Sequence, residues 1–379
     1  MKKSEIINKI RKSGIFQLFS LLLVLAVLAG IGAGIAVIKH RMDYEDVATK
    51  YFSAYLRDDE ETMYEYVAVD ESEYINYDQF ALLIASERAS ISISEYKFSE
   101  PEKKNGKIIY TVTFENEISE EEETYTIELT KYRKKWYYLI PEYKVCIDDK
   151  IISNVSVTIP EGTELYIDDQ PAGNKISDEE TGTDIYDIPY MFIGEHTFYV
   201  ESEFGESTVI QEVEEDNTTL MVAVEDISMK ESDKSTLIAK AGEIIEAFYE
   251  NAMDKDTSYK DIKSYFPDDS ALLKKVKKYF NATRDILYWD SLNAIDSYKI
   301  IDLTLGDIEY ELDSFEYPNK AEITCTFRYE YTASTDTTTL SSYTEQYSGS
   351  CKTKIRFIYE ATDEDGWVMT GIKMSNKES

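Results

Sequence analysis

Side chains that could carry out chemistry are sparse in this sequence. The only histidines are His40 and His196, and the cysteines Cys146, Cys325 and Cys351 form no Cys-x-x-Cys pair. Zinc and iron–sulfur sites need clustered sulfur and imidazole ligands. We therefore predict neither a metal site nor a cofactor.

Catalytic residues are equally hard to place. General acid–base catalysis near neutral pH is served most easily by histidine, and segments 43–147 and 234–379, predicted below to be domains, contain none. Asp285 or Asp290 could substitute as a carboxylate of raised pKa, although no spacing singles either out. No Gly-x-Ser-x-Gly motif provides a serine nucleophile. We expect no enzyme and assign no catalytic residue.

One pair of cysteines suggests a disulfide. Cys325 and Cys351 lie on predicted strands that flank the loop 334–342, and a hairpin centred on Thr338 would place them opposite each other. Alternation along both strands makes both side chains face inward, and an oxidising compartment would preserve a bridge between them. Two reduced cysteines in the core are the alternative, and the sequence does not decide between the two.

Aromatic residues are the remaining candidates for binding. The chain has 31 tyrosines, and in the predicted strands several alternate with charged residues, as do Tyr125, Tyr329 and Tyr359. Tyrosine suits half-buried sheet faces as well as surfaces that bind sugars or peptides. For any one of them, packing in a core is the more frequent role. The predicted binding residues are Tyr249, Tyr279, Trp289 and Trp367.

An uncharged apolar segment at residues 15–38 predicts a single transmembrane helix. Its 24 residues, at about 1.5 Å each, are long enough to cross a hydrocarbon core of roughly 30 Å. Five basic residues precede it and two follow, which predicts a cytoplasmic tail at 1–14, a cell-membrane location and an extracellular body. A cleaved signal peptide is the rival interpretation, but the apolar segment is longer than such peptides usually have.

The charge distribution limits the partners. The formal net charge is −34, and the acidic excess lies beyond residue 42. A field of that sign repels nucleic-acid phosphates, so we expect no nucleic-acid partner.

Two segments share one order of elements. In residues 43–147, an apolar stripe at helical spacing from Tyr44 to Leu56 precedes two short helical stretches and then strands that alternate apolar and polar residues. Residues 234–379 repeat this order, with predicted strands at 298–313, 320–331, 346–360 and 367–374. Helices followed by a meander of strands predict an α+β fold in each segment. Residues 150–228, with short strands and frequent turns, predict a small β-sandwich between them.

The three segments resemble known domain types. Helices before a curved sheet, with a tryptophan opening the last strand at Trp136 and Trp367, resemble the NTF2-like fold in both flanking segments. The Pro160-x-Gly162 turn, the Tyr166–Asp169 hairpin and the Gly194-x-His196-x-Phe198 run resemble the PEGA type of Ig-like sandwich. The arrangement as a whole, over residues 43–379, is similar to the teicoplanin-resistance-associated membrane proteins of Gram-positive bacteria. Members of that family usually begin with a zinc ribbon, which this chain lacks because no cysteine precedes Cys146.

The resemblance implies a non-enzymatic protein of the cell envelope. It implies that modules outside the membrane bind or scaffold cell-wall precursors or wall-synthesis proteins, so that peptidoglycan, a lipid-linked precursor or a membrane protein is the partner. The alternative is an anchored sensor or regulatory subunit whose C-terminal NTF2-like domain binds a small ligand or dimerises.

Overall fold

The computed structural model describes residues 21–28, 43–132, 142–178, 180–254, 256–290, 296–337, 343–362 and 364–378. The chain divides into two compact units, which are described separately. The N-terminal unit comprises Met1–Ser156, Asp187–His196 and Gln211–Leu220, and the C-terminal unit comprises Val157–Tyr186, Thr197–Ile210 and Met221–Ser379. The boundaries of the three predicted domains, 43–147, 150–228 and 234–379, stay a prediction.

Three helices open the N-terminal unit, and each begins at a side chain that caps it. Asp43, Asp59 and Asn76 accept hydrogen bonds from backbone N–H groups of the first turn, which otherwise have no partner within the helix. The helices are α1 (Tyr44–Tyr55), α2 (Glu60–Glu65) and α3 (Tyr77–Arg88).

An antiparallel sheet follows the helices. Its strand order is β1-β3-β4-β5, and β2 pairs with β3. Buried and more exposed residues alternate along β3, as expected for a sheet with one face on a core. The strands are β1 (Ile93–Phe98), β2 (Glu102–Lys104), β3 (Lys107–Asn116), β4 (Glu121–Tyr132) and β5 (Glu142–Val145). The strand predicted at 135–140, with Trp136, lies outside the described residues.

The core of this unit forms where α1 meets the sheet. The predicted stripe of α1 is buried, with Val47, Tyr51 and Phe52 almost inaccessible to solvent. They belong to one cluster with Val112 and Ile127 of the sheet. Burial of these apolar groups is the main force that holds helix and sheet together.

The strands between residues 151 and 229 form two sheets, with orders β13-β6-β10-β9 and β14-β12-β11-β7-β8. Asp184 of β10 is buried, and its carboxylate lies 2.6 Å from the Lys175 ammonium group. The strands are β6 (Ile151–Pro160), β7 (Glu164–Ile167), β8 (Gln170–Pro171), β9 (Lys175–Asp178), β10 (Thr183–Phe192), β11 (Gly194–Glu201), β12 (Gly205–Val213), β13 (Thr219–Met221) and β14 (Ser228–Met229).

From residue 231 onward, in the C-terminal unit, helices again precede strands. Asp269 caps the last helix by accepting hydrogen bonds from the N–H groups of Ala271 and Leu272. The helices are α4 (Glu231–Met253), α5 (Tyr259–Ile262) and α6 (Ser270–Leu287).

A six-stranded antiparallel sheet completes this unit. Its order is β15-β16-β18-β19-β20, and β17 pairs with β18. The predicted strand 298–313 is in fact two strands, separated at 306–308, where the Gly306 N–H donates to the Arg328 carbonyl. The strands are β15 (Tyr288–Asp290), β16 (Asp296–Leu305), β17 (Glu309–Glu316), β18 (Lys320–Thr337), β19 (Tyr343–Thr362) and β20 (Gly366–Glu378).

The predicted transmembrane helix requires a correction. Of its residues 15–38, only 21–28 lie in the described part of the chain, where they form a helix. Across all described residues, no helix combines the length and the apolar character needed to cross a membrane. This finding overturns the fold class as predicted, with its membrane helix, and the predicted cell-membrane location with an extracellular body. What the structure describes is a mixed α+β fold.

Candidate functional site

A cavity of about 410 Å³ lies in the C-terminal unit, within the range of sites that hold small molecules. Three parts of the unit form its wall, and we call it the aromatic pocket. It is lined by Lys240, Glu243 and Ile244 of α4, by residues 264–267, by Tyr359 of β19 and by residues 367–369 of β20.

Helix α4 supplies one wall through its spacing. Lys240, Glu243 and Ile244 are separated by three and four positions, so they share one side of the helix. Ile244 is buried, whereas Lys240 and Glu243 are exposed. The apolar stripe of α4 anchors the helix in the core through Leu237, Ala241, Ile245 and Phe248. The two charged groups therefore stand at the rim of the pocket.

The second wall is a short turn ended by a proline. After α5, residues Lys263–Tyr265 form one turn of 3-10 helix, and Phe266 is extended. A residue that precedes proline is biased toward the extended conformation, which explains why the helix ends before Pro267. Phe266 is buried by this change of direction, and Tyr265 stays 46% exposed. The turn thus places the buried Phe266 ring in the wall of the pocket and the half-exposed Tyr265 ring at its opening.

The third wall is the pair β19–β20. Tyr359 pairs with Met369 and Ala361 pairs with Trp367, so that Tyr359, Met369 and Trp367 lie on one face of the sheet. Between Ile358 and Tyr359 the register shifts by one residue. Such a bulge bends a strand and redirects its side chains, and bulges are frequent beside functional sites.

Trp367 is held in place by aromatic neighbours. Its ring centroid lies 5.3 Å from that of Phe204, in an edge-to-face arrangement, and 6.5 Å from that of Phe315. The side chain is only 7% exposed. Its indole Nε1 has no hydrogen-bond partner among the described residues. A group that can only donate a hydrogen bond is thus buried in the pocket wall without an acceptor.

The hydroxyl group of Tyr359 is a second buried polar group without a partner among the described residues. The residue is 2% exposed, and in the described part of the chain nothing accepts from or donates to its hydroxyl group. Burial, with a smaller contribution from Cys325, raises the pKa of Tyr359 well above the ordinary value of 10, so the phenol stays neutral. A buried polar group without a partner costs about 1–3 kcal/mol. Two such groups in one wall are unusual for a side of a cavity that only packs.

The predicted binding residues fall into different places. Trp367 lines the pocket. Tyr249 is a core residue, 1% exposed, whose hydroxyl donates to Thr353 Oγ1 at 3.4 Å. Tyr279 is partly buried against the core cluster. The side chain of Trp289, on β15, lies outside the described part. Sequence alternation did not single out Tyr359 among the tyrosines of the strands, because alternation shows which face a side chain is on and not whether its hydroxyl has a partner.

The disulfide predicted between Cys325 and Cys351 is wrong, because β18 and β19 pair in a different register from the predicted one. Cys325 pairs with Ile355 and Cys351 pairs with Tyr329, because the hairpin centre lies two residues beyond Thr338. The cysteines are therefore four positions apart along the strands, about 13 Å at 3.3 Å per residue. Cys146, Cys325 and Cys351 are all buried thiols, the alternative that the sequence left open.

Among the residues that the structure describes, the pocket is lined by no histidine, no cysteine and no buried carboxylate. Asp285 is exposed on α6, and the side chain of Asp290 lies outside the described residues. His196 is buried in the N-terminal unit, where its Nε2 lies 2.9 Å from the Phe192 carbonyl oxygen. Within the described ranges, no three acidic, cysteine or histidine side chains are grouped so that they could hold a metal ion.

Two cavities of the N-terminal unit are weaker candidates. They measure about 360 and 620 Å³, and Tyr132 lines both. Its hydroxyl donates to the Val69 carbonyl oxygen at 3.1 Å. The Tyr132 hydroxyl thus has a partner within the fold. The aromatic pocket is lined by two residues whose buried polar atoms have none among the described residues, and it is the candidate site.

Comparison with known proteins assigns no family to the chain. Neither a protein-family model nor a curated protein sequence matches it. The resemblance to the teicoplanin-resistance-associated proteins stays a prediction.

Proposed function

We propose that this chain is a non-enzymatic binding protein and that the aromatic pocket of its C-terminal unit takes up a small ligand. The observation that carries the proposal is that two of the residues lining one cavity, Tyr359 and Trp367, each hold a buried polar atom, Oη and Nε1, without a partner among the described residues. A ligand that hydrogen-bonds to both would remove their desolvation cost. This favours the small-ligand function that the sequence suggested for the C-terminal domain.

Cell-wall material is the expected source of the ligand, as the family resemblance implies. The pocket supports binding more than turnover, because the ionic groups among its described lining residues, Lys240 and Glu243, are exposed at the rim. General acid–base catalysis needs a group of tuned pKa at the reacting atoms. The chain would accordingly hold wall material or a precursor without changing it.

Sedimentation of the full chain with purified peptidoglycan tests this proposal. We expect binding that Trp367→Phe weakens, because phenylalanine keeps an aromatic ring and loses the N–H donor. Tyr279→Phe is the matched control, since Tyr279 is an aromatic residue of the same unit outside the pocket lining. Binding that Tyr279→Phe weakens and Trp367→Phe leaves unchanged would overturn the pocket as the site. Absence of any binding would overturn wall material as the source.

A further inference from the structure

The chemistry of the pocket narrows the class of ligand. Its polar groups are of mixed type: the Trp367 indole and the Lys240 ammonium only donate hydrogen bonds, the Glu243 carboxylate only accepts, and the hydroxyls of Ser264 and Tyr359 do both. A matching ligand must offer donors and acceptors close together. Hydroxyl groups meet this condition, because each one both donates and accepts.

The charges of the pocket argue against an ionic ligand. Lys240 and Glu243 are opposite in sign and exposed, whereas the deeper wall is built from Ile244, Phe266 and Met369, all buried. The phenol of Tyr359 is kept neutral because burial raises its pKa. A buried phosphate or carboxylate would need a cation within the wall, since burying an unpaired charge is strongly unfavourable. The net charge of −34 further lowers the local concentration of anions.

The two residues with unpartnered atoms are close enough for one ligand to reach both. Tyr359 and Trp367 are diagonal neighbours across the β19–β20 pair, a relation that separates their Cα atoms by about 7–8 Å. A ring that carries several polar atoms offers a separate partner to each of the two groups. The faces of such a ring would pack against the aromatic and aliphatic wall.

We infer that the ligand of the aromatic pocket is an uncharged saccharide unit, an inference that rests on the proposed binding function and specifies its ligand. The hydroxyl groups of the sugar accept from the Trp367 indole and exchange hydrogen bonds with Tyr359, and its C–H face lies on Phe266 and Met369. A proline-rich peptide, the other ligand that aromatic grooves commonly take, provides few N–H donors for Glu243. Because both polar atoms are shielded from water, entry requires rotamer changes of wall residues, which are common on binding.

Titration of the full chain with four probes tests the inference. The probes are chitotriose and cellotriose as uncharged saccharides, glucose 6-phosphate as an anionic sugar and a ten-residue polyproline peptide, each followed by calorimetry. We expect an uncharged trisaccharide to bind and its affinity to change less than twofold between 0.05 and 0.5 M salt, because no ionic contact is formed. Trp367→Phe and Tyr359→Phe should each weaken it by about three- to tenfold, the effect of one neutral hydrogen bond, and Tyr279→Phe should not.

The outcomes separate this inference from the proposal on which it rests. If only the phosphate or the peptide binds, and Trp367→Phe weakens that binding, the saccharide class is wrong and the binding function stands. If none of the four probes binds and peptidoglycan binding is insensitive to Trp367→Phe, the pocket itself is wrong as a site. Saccharide binding that Tyr279→Phe weakens, while the two pocket variants do not, would also overturn the inference.

Discussion

Two pairs of aromatic residues at the cores of the two units differ in their hydrogen bonding: Tyr51 and Tyr125 in the N-terminal unit, and Tyr359 and Trp367 in the C-terminal unit. In the first pair the hydroxyl groups lie 3.4 Å apart and serve each other as partners. In the second pair neither polar atom has a partner among the described residues, and both residues line a cavity. The difference indicates that an aromatic wall becomes a candidate site through its unmet hydrogen bonds, since aromatic content is common to both.

Tyr55, Tyr64 and Tyr110 of the N-terminal unit also have buried hydroxyls without a described partner. Tyr55 and Tyr110 line no described cavity, whereas Tyr64 lines the cavity of about 360 Å³. Burial raises the pKa of each to about 12. In the C-terminal unit, two residues with such buried polar atoms, Tyr359 and Trp367, line the same cavity. One of these atoms is the indole nitrogen of Trp367, which can only donate a hydrogen bond.

The largest loss of stability is expected from a substitution in the aromatic core of the N-terminal unit. Phe52 is fully buried, and its ring lies within 5.1–5.9 Å of the rings of Tyr55, Tyr96, Phe98 and Tyr125. Phe52→Ala should lower the free energy of unfolding of this unit by about 3–5 kcal/mol, because it removes the buried ring and leaves a cavity. Urea denaturation measures the loss. The control Ile118→Ala, at a side chain 61% exposed, should change it by less than about 0.5 kcal/mol. A small effect of Phe52→Ala would show that this cluster is not a packed core.

Asp184 is a buried polar group of the C-terminal unit whose Oδ2 atom has partners, unlike the Tyr359 hydroxyl, while its Oδ1 atom has none among the described residues. Burial acts to raise the pKa of Asp184, but hydrogen bonding and the charge of Lys175 outweigh it and hold the pKa below its ordinary value of 3.8. Asp184→Asn should cost about 1.5–3 kcal/mol, as for loss of a hydrogen bond to a charged group. Urea denaturation at pH 7 measures the cost, with Asp187→Asn, at an exposed site of the same strand, as the control.

The pH dependence of this pair follows from the two pKa directions. Asp184 stabilises the fold fully above pH 3.8, and its contribution is lost as the pH falls through the lowered pKa of the folded state. The Lys175 pKa is raised above 10.5, so its contribution is present below that pH and is lost as the pH rises further. The Asp184→Asn difference should therefore shrink below about pH 4. A difference that stays constant from pH 7 to pH 3 would contradict this electrostatic account.

The reactivity of the cysteine thiols provides a further test. Cys325 is fully buried, and burial raises its thiol pKa to about 12, so the folded chain should leave it unmodified by iodoacetamide at pH 8. Unfolding without reductant should then expose three reactive thiols, counted by mass spectrometry. A count of one would restore the disulfide and refute the observed register of β18 and β19.

Local patterns predicted most of the elements but not the site. The stripe that contains Val47, Tyr51 and Phe52 specified α1 because helical spacing alone puts these residues on one side. Trp367 could be identified because a tryptophan after a turn marks the start of a buried strand. The pocket also depends on Phe266, which comes from a turn about 90 residues earlier in the chain, and no local pattern encodes that proximity. The hairpin register was missed because it depends on the conformation of the connecting loop.

Parallel urea denaturation of Tyr51→Phe and Tyr359→Phe tests whether the Tyr359 hydroxyl lacks a hydrogen-bond partner in the folded chain. Tyr51→Phe removes a hydroxyl that has a partner, so the chain should lose about 1 kcal/mol of stability. Tyr359→Phe removes a hydroxyl without one, so the unliganded chain should be unchanged or more stable by up to about 1 kcal/mol. Loss of stability in Tyr359→Phe equal to that in Tyr51→Phe would show that the Tyr359 hydroxyl is satisfied within the fold, and would contradict a pocket wall that awaits a ligand.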